Sequence, residues 1–532
     1  MLGMNLTDAR RADCLGFAIQ RTDHTEDEVR WLRGMKTFES THPEVSADGQ
    51  YSSQFHPFQA FQWADYTAKP GYEYTYKVVP VTGRPGALTY GEPTNVRIKT
   101  ETEHGGKHSV FFNRGAAASQ AYARRFLNKY PSKVGSEAYS WLSRGLAEAL
   151  ESFIGRAKDR TFALYGAVYE FQWPSVLKWI RDAADRGARV TILYDGIPGD
   201  KKPAAKNRMA IEAASIQDYC VPRTTGSLMH NKFFVLTNND QPVALWTGST
   251  NITENGIFGH SNFGHIVEDP SVAAAYLGYW NEIRSNPEPP AIERAWINTN
   301  YPAPPDPWSG DLFNVFSPHS GLGVLDWYAQ IAGMGPLLMT FAFGMHRKFQ
   351  EVYEQPDRLL RIALMEKEGN GRGLVRGKID IARIRRGRNV FVAVGNYIAT
   401  NGFDRWLKEI DRITPQVNVH YIHTKFMLVD PLGSRPIVVA GSANFSEAST
   451  NENNENTLVI RDDKRVADIY LGEFMRLYTH YAFRESVARR RAGGIEVEDW
   501  RPSYLIAGPE WQTKHFDPSD QLYLRRKYFA RS

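Results

Sequence analysis

Two cysteines, Cys14 and Cys220, are all that this chain of 532 residues contains. That excludes a disulfide framework and any cysteine-based metal spacing, and both read as small buried side chains. Net charge is also scarce: Lys and Arg outnumber Asp and Glu by only 64 to 59. The chain as a whole therefore lacks the electrostatic footprint of a dedicated nucleic-acid-binding protein. Long apolar runs are missing too. The longest, Ile331 to Met345, is broken by Pro336 and several glycines and is shorter than the roughly 18 residues a membrane span requires. Met1 to Asp13 is polar, with no apolar stretch of the kind a secretory signal needs. These absences lead to the expectation of a soluble, cytoplasmic protein. What is present is an ordinary globular composition, 42% hydrophobic and 23% charged, long enough for two or more cores.

Residues 1 to 103 read as β. Cys14 to Asp23 and Phe58 to Tyr66 suggest strands, and Tyr72 to Val81 alternates aromatic and β-branched residues at period two. Turn chemistry sits at Lys69-Pro70-Gly71 and Gly83-Arg84-Pro85-Gly86. Beyond the polar linker Glu101 to Lys107 the pattern changes to α/β. Thr161 to Phe171 reads as a buried strand, Pro174 opens a helix, and Arg189 to Gly196 reads as the next strand. A proline-rich stretch, Ser285 to Asp311, is expected to cross to a second lobe. There Pro336 to Met345, Leu359 to Glu366 and Asn389 to Gly395 read as strands, and Val466 to Phe483 as an amphipathic helix. Between those strands lies a basic segment with Lys367, Arg372, Arg376, Lys378, Arg383, Arg385, Arg386 and Arg388. It reads as a solvated face, or as a contact for anionic headgroups or a nucleic-acid backbone.

Chemistry is concentrated in Val419 to Asn456, which holds His423, Lys425, Asp430, Ser442, Asn444 and Glu455. On a strand, residues two apart share a face, so His423 and Lys425 should address one cleft. A second strand runs into Gly441-Ser442-Ala443-Asn444, bringing a hydroxyl and an amide to its end. Cationic donors, neutral donors and a titratable nitrogen are what a phosphate requires. The pattern recurs upstream as His230, Lys232, Gly248, Ser249 and Asn251, with 193 residues separating His230 from His423 and Asn251 from Asn444. A similar helix follows each block, Val272 to Gly278 and Val466 to Gly472, offset by 194. Two motifs and a helix in the same order and spacing mark an internal duplication.

The paired motifs resemble those of the phospholipase D superfamily, HxKxxxxD followed by GSxN, once in each half. The second copy, HTKFMLVD then GSAN, matches throughout; in the first, Thr237 stands where the family has its aspartate. Eleven residues beyond each motif asparagine lie Glu455 and Asn262, where family members carry a carboxylate that orients the histidine. The amino-terminal strands are similar to the last strands of a fibronectin type III sandwich, with Tyr74 a candidate tyrosine-corner residue. The resulting expectation is an α/β protein: a β-sandwich-like domain over 1–103, phospholipase D-like lobes over 104–300 and 301–490, and a tail over 491–532 packed on the lobes.

The resemblance implies a pocket between the lobes. Lys232, Lys425, Asn251 and Asn444 would hold the non-bridging oxygens of a phosphodiester, with Ser249 and Ser442 adding substrate contacts. One histidine attacks phosphorus and the other protonates the leaving alcohol. Glu455 is expected against His423 and Asn262 against His230, which favours His423 as nucleophile, whereas family habit favours His230; the assignment stays open at this point. Asp430 is expected to be structural. His346 and His480 read as surface or core filling, while His260 and His265 lie close to the first motif. No cofactor and no metal is implied, since a lysine at the second motif position repels a cation. The expected function is hydrolysis of phospholipid headgroup esters through a phosphohistidine. Nucleic acid is the alternative substrate on the same scaffold, and a catalytically weak binding module is the alternative outside the enzyme class.

Overall fold

The computed structural model describes residues 1–45, 49–115, 122, 125–127, 129–199, 202–288, 290–304, 310–367, 381–395, 422–492 and 504–531. Of the basic segment, Arg372, Arg376 and Lys378 lie outside the described residues, as does Trp500 in the tail. Arg383 and Arg385 are described and form ion pairs with Glu354 and Glu485.

The amino-terminal region is β-rich. Its main sheet contains β1 (Gly16–Asp23), β2 (Glu28–Trp31), β3 (Glu73–Arg84), β4 (Ala87–Tyr90) and β5 (Thr94–Lys99), in the order β2-β1-β3-β4, with β5 also paired to β3. Phe17, Ile19, Tyr74 and Tyr76 share one face, as period-two alternation requires. Among the described residues the only strands that lay residues against that face are two of two residues each, Leu2–Gly3 and Gln62–Trp63, through Leu2 and Trp63. The face is also covered by Met4, Phe58, Phe61 and, from the far end of the chain, Trp511. A fibronectin-like sandwich is not confirmed: Phe58 to Tyr66 contributes only the two-residue strand Gln62–Trp63, paired with Leu2–Gly3. One local feature of the likeness is present, because the Tyr74 hydroxyl accepts the Lys69 N–H at 2.8 Å.

The rest is a duplicated α/β unit. The first lobe contains β6 (His108–Phe112), β7 (Phe162–Val168), α1 (Pro174–Asp185), β8 (Arg189–Asp195), β9 (Cys220–Arg223), β10 (Lys232–Asn238), β11 (Gln241–Gly248), β12 (Phe263–Val267) and α2 (Pro270–Ser285). The second contains β13 (Leu312–Ser317), β14 (Leu337–Phe341), β15 (Arg361–Met365), β16 (Val390–Val394), β17 (Phe426–Val429), β18 (Ile437–Gly441), β19 (Glu455–Arg461) and α3 (Lys464–Ala492). Sheet orders are β6-β12-β11-β10-β7-β8-β9 and β13-β19-β18-β17-β14-β15-β16, the same seven places in the same sequence. The proline-rich crossing contains a helix, Pro290–Asn300, whose buried Glu293 pairs with Arg223 at 2.9 Å and accepts from Asn454 at 2.8 Å.

One apolar core runs through both lobes. It includes Phe112, Phe263 and Tyr276 from the first and Phe316, Phe426 and Tyr470 from the second. Tyr279 stacks on Phe316 with ring centres 4.4 Å apart, and Phe263 meets Tyr470 edge-on at 5.6 Å. Each such side chain, fully buried, contributes about 1.5–3 kcal/mol. The two sheets are therefore fixed relative to one another, which is what a site shared between them needs.

Candidate functional site

Each HxK motif leads into a central strand: Lys232 opens β10, and Lys425 immediately precedes β17. Both histidines and both lysines are buried. Lys232 Nζ donates to the His230 carbonyl at 2.5 Å, and Lys425 Nζ to the His423 carbonyl at 2.7 Å. Two carboxylates that sequence reasoning missed hold the approach to these residues. Asp195, ending β8, accepts the Met229 N–H at 2.9 Å, and Glu366, just past β15, accepts the Ile422 N–H at 2.8 Å. Burial pushes the Asp195 carboxyl up to about 6, with the Met229 N–H opposing. The signal was available: an acid closes the second strand of the repeat in both lobes.

The glycine of each GSxN motif is required by close approach. A Cβ on Gly248 would lie 2.2 Å from the Phe263 carbonyl oxygen, and one on Gly441 2.2 Å from that of Asn456. That proximity lets the Ser249 N–H reach Phe263 O at 3.1 Å and the Ser442 N–H reach Asn456 O at 2.9 Å. The serine hydroxyls, expected to contact substrate, are committed elsewhere. Ser249 donates to Asn262 Oδ1 and Ser442 to Glu455 Oε2, both at 2.8 Å. Both serines thus hold an orienting side chain. A third hydroxyl, that of Ser449, donates to Glu455 Oε1 at 3.1 Å.

The orienting residues cross between lobes, contrary to the expected pairing. Glu455 lies on His230, with Nδ1 at 2.9 and 3.0 Å from its two oxygens, and Asn262 lies on His423, with Oδ1 2.8 Å from Nδ1. Sheet order explains the exchange. Within a lobe, β11 or β18 separates the histidine strand from the orienter strand, a gap of two strand spacings, about 9–10 Å. Across the interface the distance closes, since Met229 bridges to Asn454 and Ile422 to Ser261. Each histidine is thereby placed beside the other lobe's orienter.

The electrostatics follow from this crowding. Burial lowers His230 to about 4, with Lys232 and Lys425 reinforcing and Glu455 opposing. His423 is held well below the usual imidazole range by burial, then by Lys425, His260 and Lys232. Lys232 is pushed down to about 8 by burial, against the pull of Glu455, Glu170 and Asp195. Burial and the Lys232 charge hold Lys425 far below the ordinary ammonium range. Asn251 and Asn444 each keep a buried amide oxygen with no hydrogen-bond partner. The crowded lysines would be relieved by an anion, whereas the two unpartnered amide oxygens are acceptors and call for a donor.

Further residues line the site that the sequence did not single out. The Tyr169 ring lies 4.9 Å from that of His230 and 5.3 Å from Lys232 Nζ. Phe343 lies 6.2 Å from the His423 ring and 5.9 Å from Lys425 Nζ. Both follow the first central strand of their lobe, β7 or β14. Glu170, next to Tyr169, rests against the Asn251 amide. The His260 ring is 6.0 Å from that of His423. His265 is instead buried away from the histidine pair, between His108 at 3.0 Å and the Tyr470 hydroxyl at 3.1 Å. His346 caps a short helix by accepting the Lys348 N–H. Asp430 closes the far end of β17, where its N–H reaches Pro336 O at 2.7 Å and its carboxylate accepts from Tyr528 at 3.4 Å. Among the described residues, no three His, Cys, Asp or Glu side chains are placed to hold a metal ion, and no helix is long and apolar enough to cross a membrane.

Comparison with known proteins agrees with this layout. The family described as cardiolipin synthase, PLD-like domain, matches residues 150–284 and 385–478, one segment in each lobe. No curated protein matches the sequence. Among solved structures, phosphatidylserine synthase from Haemophilus influenzae Rd KW20 is 13% identical with a TM-score of 0.40, covering 66% of this chain and 92% of that one. Nuc, a phospholipase D family member from Salmonella typhimurium, is 23% identical with a TM-score of 0.22, covering 26% and 86%. Polyphosphate kinase from Porphyromonas gingivalis is 11% identical with a TM-score of 0.37, covering 68% of this chain, which spans about half, 52%, of the kinase. With a duplicated α/β unit, two HxK and GSxN half-sites meeting across one interface, and a match to the PLD-like domain model in each lobe, the chain is similar to the phospholipase D superfamily in both halves.

Proposed function

We propose that the protein is a phospholipase D-type hydrolase that cleaves the headgroup ester of a phospholipid through a phosphohistidine on His230. The observation that carries the assignment is the exchanged pairing of the orienters. Glu455 accepts from His230 Nδ1, which leaves Nε2 as the lone-pair nitrogen and stabilises the positive charge that develops on the ring as it bonds to phosphorus. Asn262 orients His423 with a neutral amide oxygen. A protonated His423 is thus the more acidic of the two and the better proton donor.

His230 Nε2 attacks phosphorus and the bond to the alcohol oxygen breaks, while His423 passes its proton to that oxygen. Water then gives a proton to His423 as its oxygen attacks phosphorus, and cleavage of the N–P bond returns His230. Before substrate arrives burial holds His423 neutral, so its proton enters with the substrate, whose negative charge offsets the desolvation. Lys232, Lys425, Asn251 and Asn444 are assigned to the non-bridging oxygens, where charge accumulates in the transition state. Asp430 is assigned a structural role at the far end of its strand.

The lipid reading is supported by the acids that surround the lysines. Glu170, Asp195 and Glu455 all act on Lys232, so the cleft is less hospitable to a polyanion than two HxK motifs alone suggest. The domains are assigned as 1–103, two lobes over 104–300 and 301–490, and a tail over 491–532. The test is a parallel assay of phosphatidylcholine vesicles and of single- and double-stranded DNA, with His230→Ala and His423→Ala as controls. Alcohol release from lipid that both variants abolish is the expected result. Cleavage of DNA with no lipid turnover would reject the lipid assignment.

A further inference from the structure

The two seams that exchange orienters are built from different chemistry. Along one, the Asn454 N–H donates to the Leu228 carbonyl at 2.8 Å. The next residues on both sides then interlock, His230 with Glu455 and Asn231 with Asn456, whose Nδ2 donates to Asn231 Oδ1 at 2.7 Å. Both asparagines are fully buried. Their other amide groups are committed as well. Asn456 Oδ1 accepts from the Thr247 hydroxyl at 2.5 Å and the Tyr276 hydroxyl at 3.1 Å, while Asn231 Nδ2 donates to the Tyr279 hydroxyl at 3.3 Å. At the places offset by 193 residues, the other seam has Thr424 for Asn231, Phe263 for Asn456 and Ala440 for Thr247. There Phe263 packs on the Phe426 and Tyr470 rings, and the Thr424 hydroxyl has no hydrogen-bond partner. One half thus closes its seam without an amide pair, so closure by itself does not require one.

Resting on the assignment of His230 as nucleophile, we propose that Asn231 and Asn456 are positioning residues that hold the His230–Glu455 pair in its reactive orientation. A single hydrogen-bonded contact lets imidazole and carboxylate pivot about it. A second contact, one residue along on both segments, removes that freedom. A hydrogen bond does so more sharply than apolar packing, because it is directional. His230 needs the support, since it lies beyond the last strand pair of β7 and β10, Val168 with Lys232. Neither asparagine has a part in bond making. Removing either one leaves the other with an unmet buried donor or acceptor, free to turn and to take its neighbour with it.

The test uses the full chain and bis(4-nitrophenyl) phosphate, a phosphodiester whose nitrophenolate leaves without help from an acid. Single-turnover release at saturating protein then reports attack by the nucleophile, whatever the natural substrate is. Asn231→Ala and Asn456→Ala should each lower that rate constant about ten- to a hundredfold. The double variant should lose no more than the worse single one, because the two act as a unit. Thr424→Ala, the equivalent change in the other half, should leave it unchanged. A rate constant unmoved in Asn231→Ala, with only the thermal midpoint lowered, makes the pair merely structural and overturns the proposal, as do single losses that multiply in the double variant. Should Asn456→Ala fail to fold, Asn231→Ala, which leaves Thr247 and Tyr276 their acceptor, decides alone. Release that survives His230→Ala, or no release by the wild type, rejects the mechanism above and the proposal with it. Release lost in His230→Ala but intact in Asn231→Ala rejects the proposal alone.

Discussion

Replacing Glu455 by glutamine probes the site most directly. The carboxylate is fully buried, contacts His230 Nδ1 at 2.9 and 3.0 Å and is held by the Ser442 and Ser449 hydroxyls. Glutamine has nearly the same shape and keeps an acceptor for His230, while a serine hydroxyl can rotate to accept from its amide. The fold should therefore survive while the charge is lost. A unit positive charge forming on the ring about 4 Å from the carboxylate centre gains about 4 kcal/mol at an effective dielectric constant of about 20. That corresponds to roughly a thousandfold in rate. Removing the neutral amide from behind His423, as in Asn262→Ala, should cost far less, about ten- to a hundredfold. The assay is single-turnover kinetics with rapid quench, followed by peptide mapping of the acid-labile phosphoryl group. Wild-type enzyme should carry it on His230. Exchanging both orienters, as Glu455→Gln with Asn262→Asp, should recover part of the rate and move the phosphoryl group to His423. Equal losses in Glu455→Gln and Asn262→Ala, with the label on His423 in the wild type, would refute the reasoning.

Three further outcomes are expected. The pH profile of kcat/KM should fall in acid as His230 takes up a proton near 4, and in alkali as Lys232 loses one near 8. Lys232→Arg, which stays charged, should move the alkaline limb upward by about one pH unit or more whatever it does to the plateau, and an unmoved limb would assign that limb elsewhere. Activity should persist in excess EDTA, because both motifs place a lysine where a metal site would need a ligand; dependence on an added divalent ion contradicts this. Trp511→Ala should destabilise the amino-terminal sheet by about 3–5 kcal/mol, read by denaturant unfolding. The ring stacks on Phe61 at 5.1 Å and its indole N–H reaches the Cys14 carbonyl at 2.8 Å. A loss below about 1 kcal/mol would mean that the tail does not secure that sheet.

Much of the architecture was legible because duplication makes spacing informative. The 193-residue offset marked two equivalent lobes, although the HxK motifs lead into their strands, with only Lys232 on one, rather than lying along them. The orienter pairing was not legible. Counting along the chain assigns Glu455 to its own lobe's histidine, whereas sheet order decides the matter and depends on which strand lies between. The serines were misassigned for a related reason: a hydroxyl beside a phosphate motif suggests a substrate contact, and only the packed strands reveal an acceptor 2.8 Å away. Tyr169, Glu170 and Phe343 escaped notice because they are single residues beyond strand ends, outside any motif. In the amino-terminal sheet, alternation correctly indicated one buried face, but nothing local indicated that Trp511, 497 residues beyond Cys14, would cover it.

The traded orienters have a consequence for how the proposed activity can be controlled. Since neither imidazole keeps its productive tautomer without a side chain from the opposite lobe, catalytic competence and inter-lobe docking are one event. On the proposed mechanism, a slip along that seam too small to unfold anything would disarm nucleophile and acid together, so turnover itself would report whether the seam is closed.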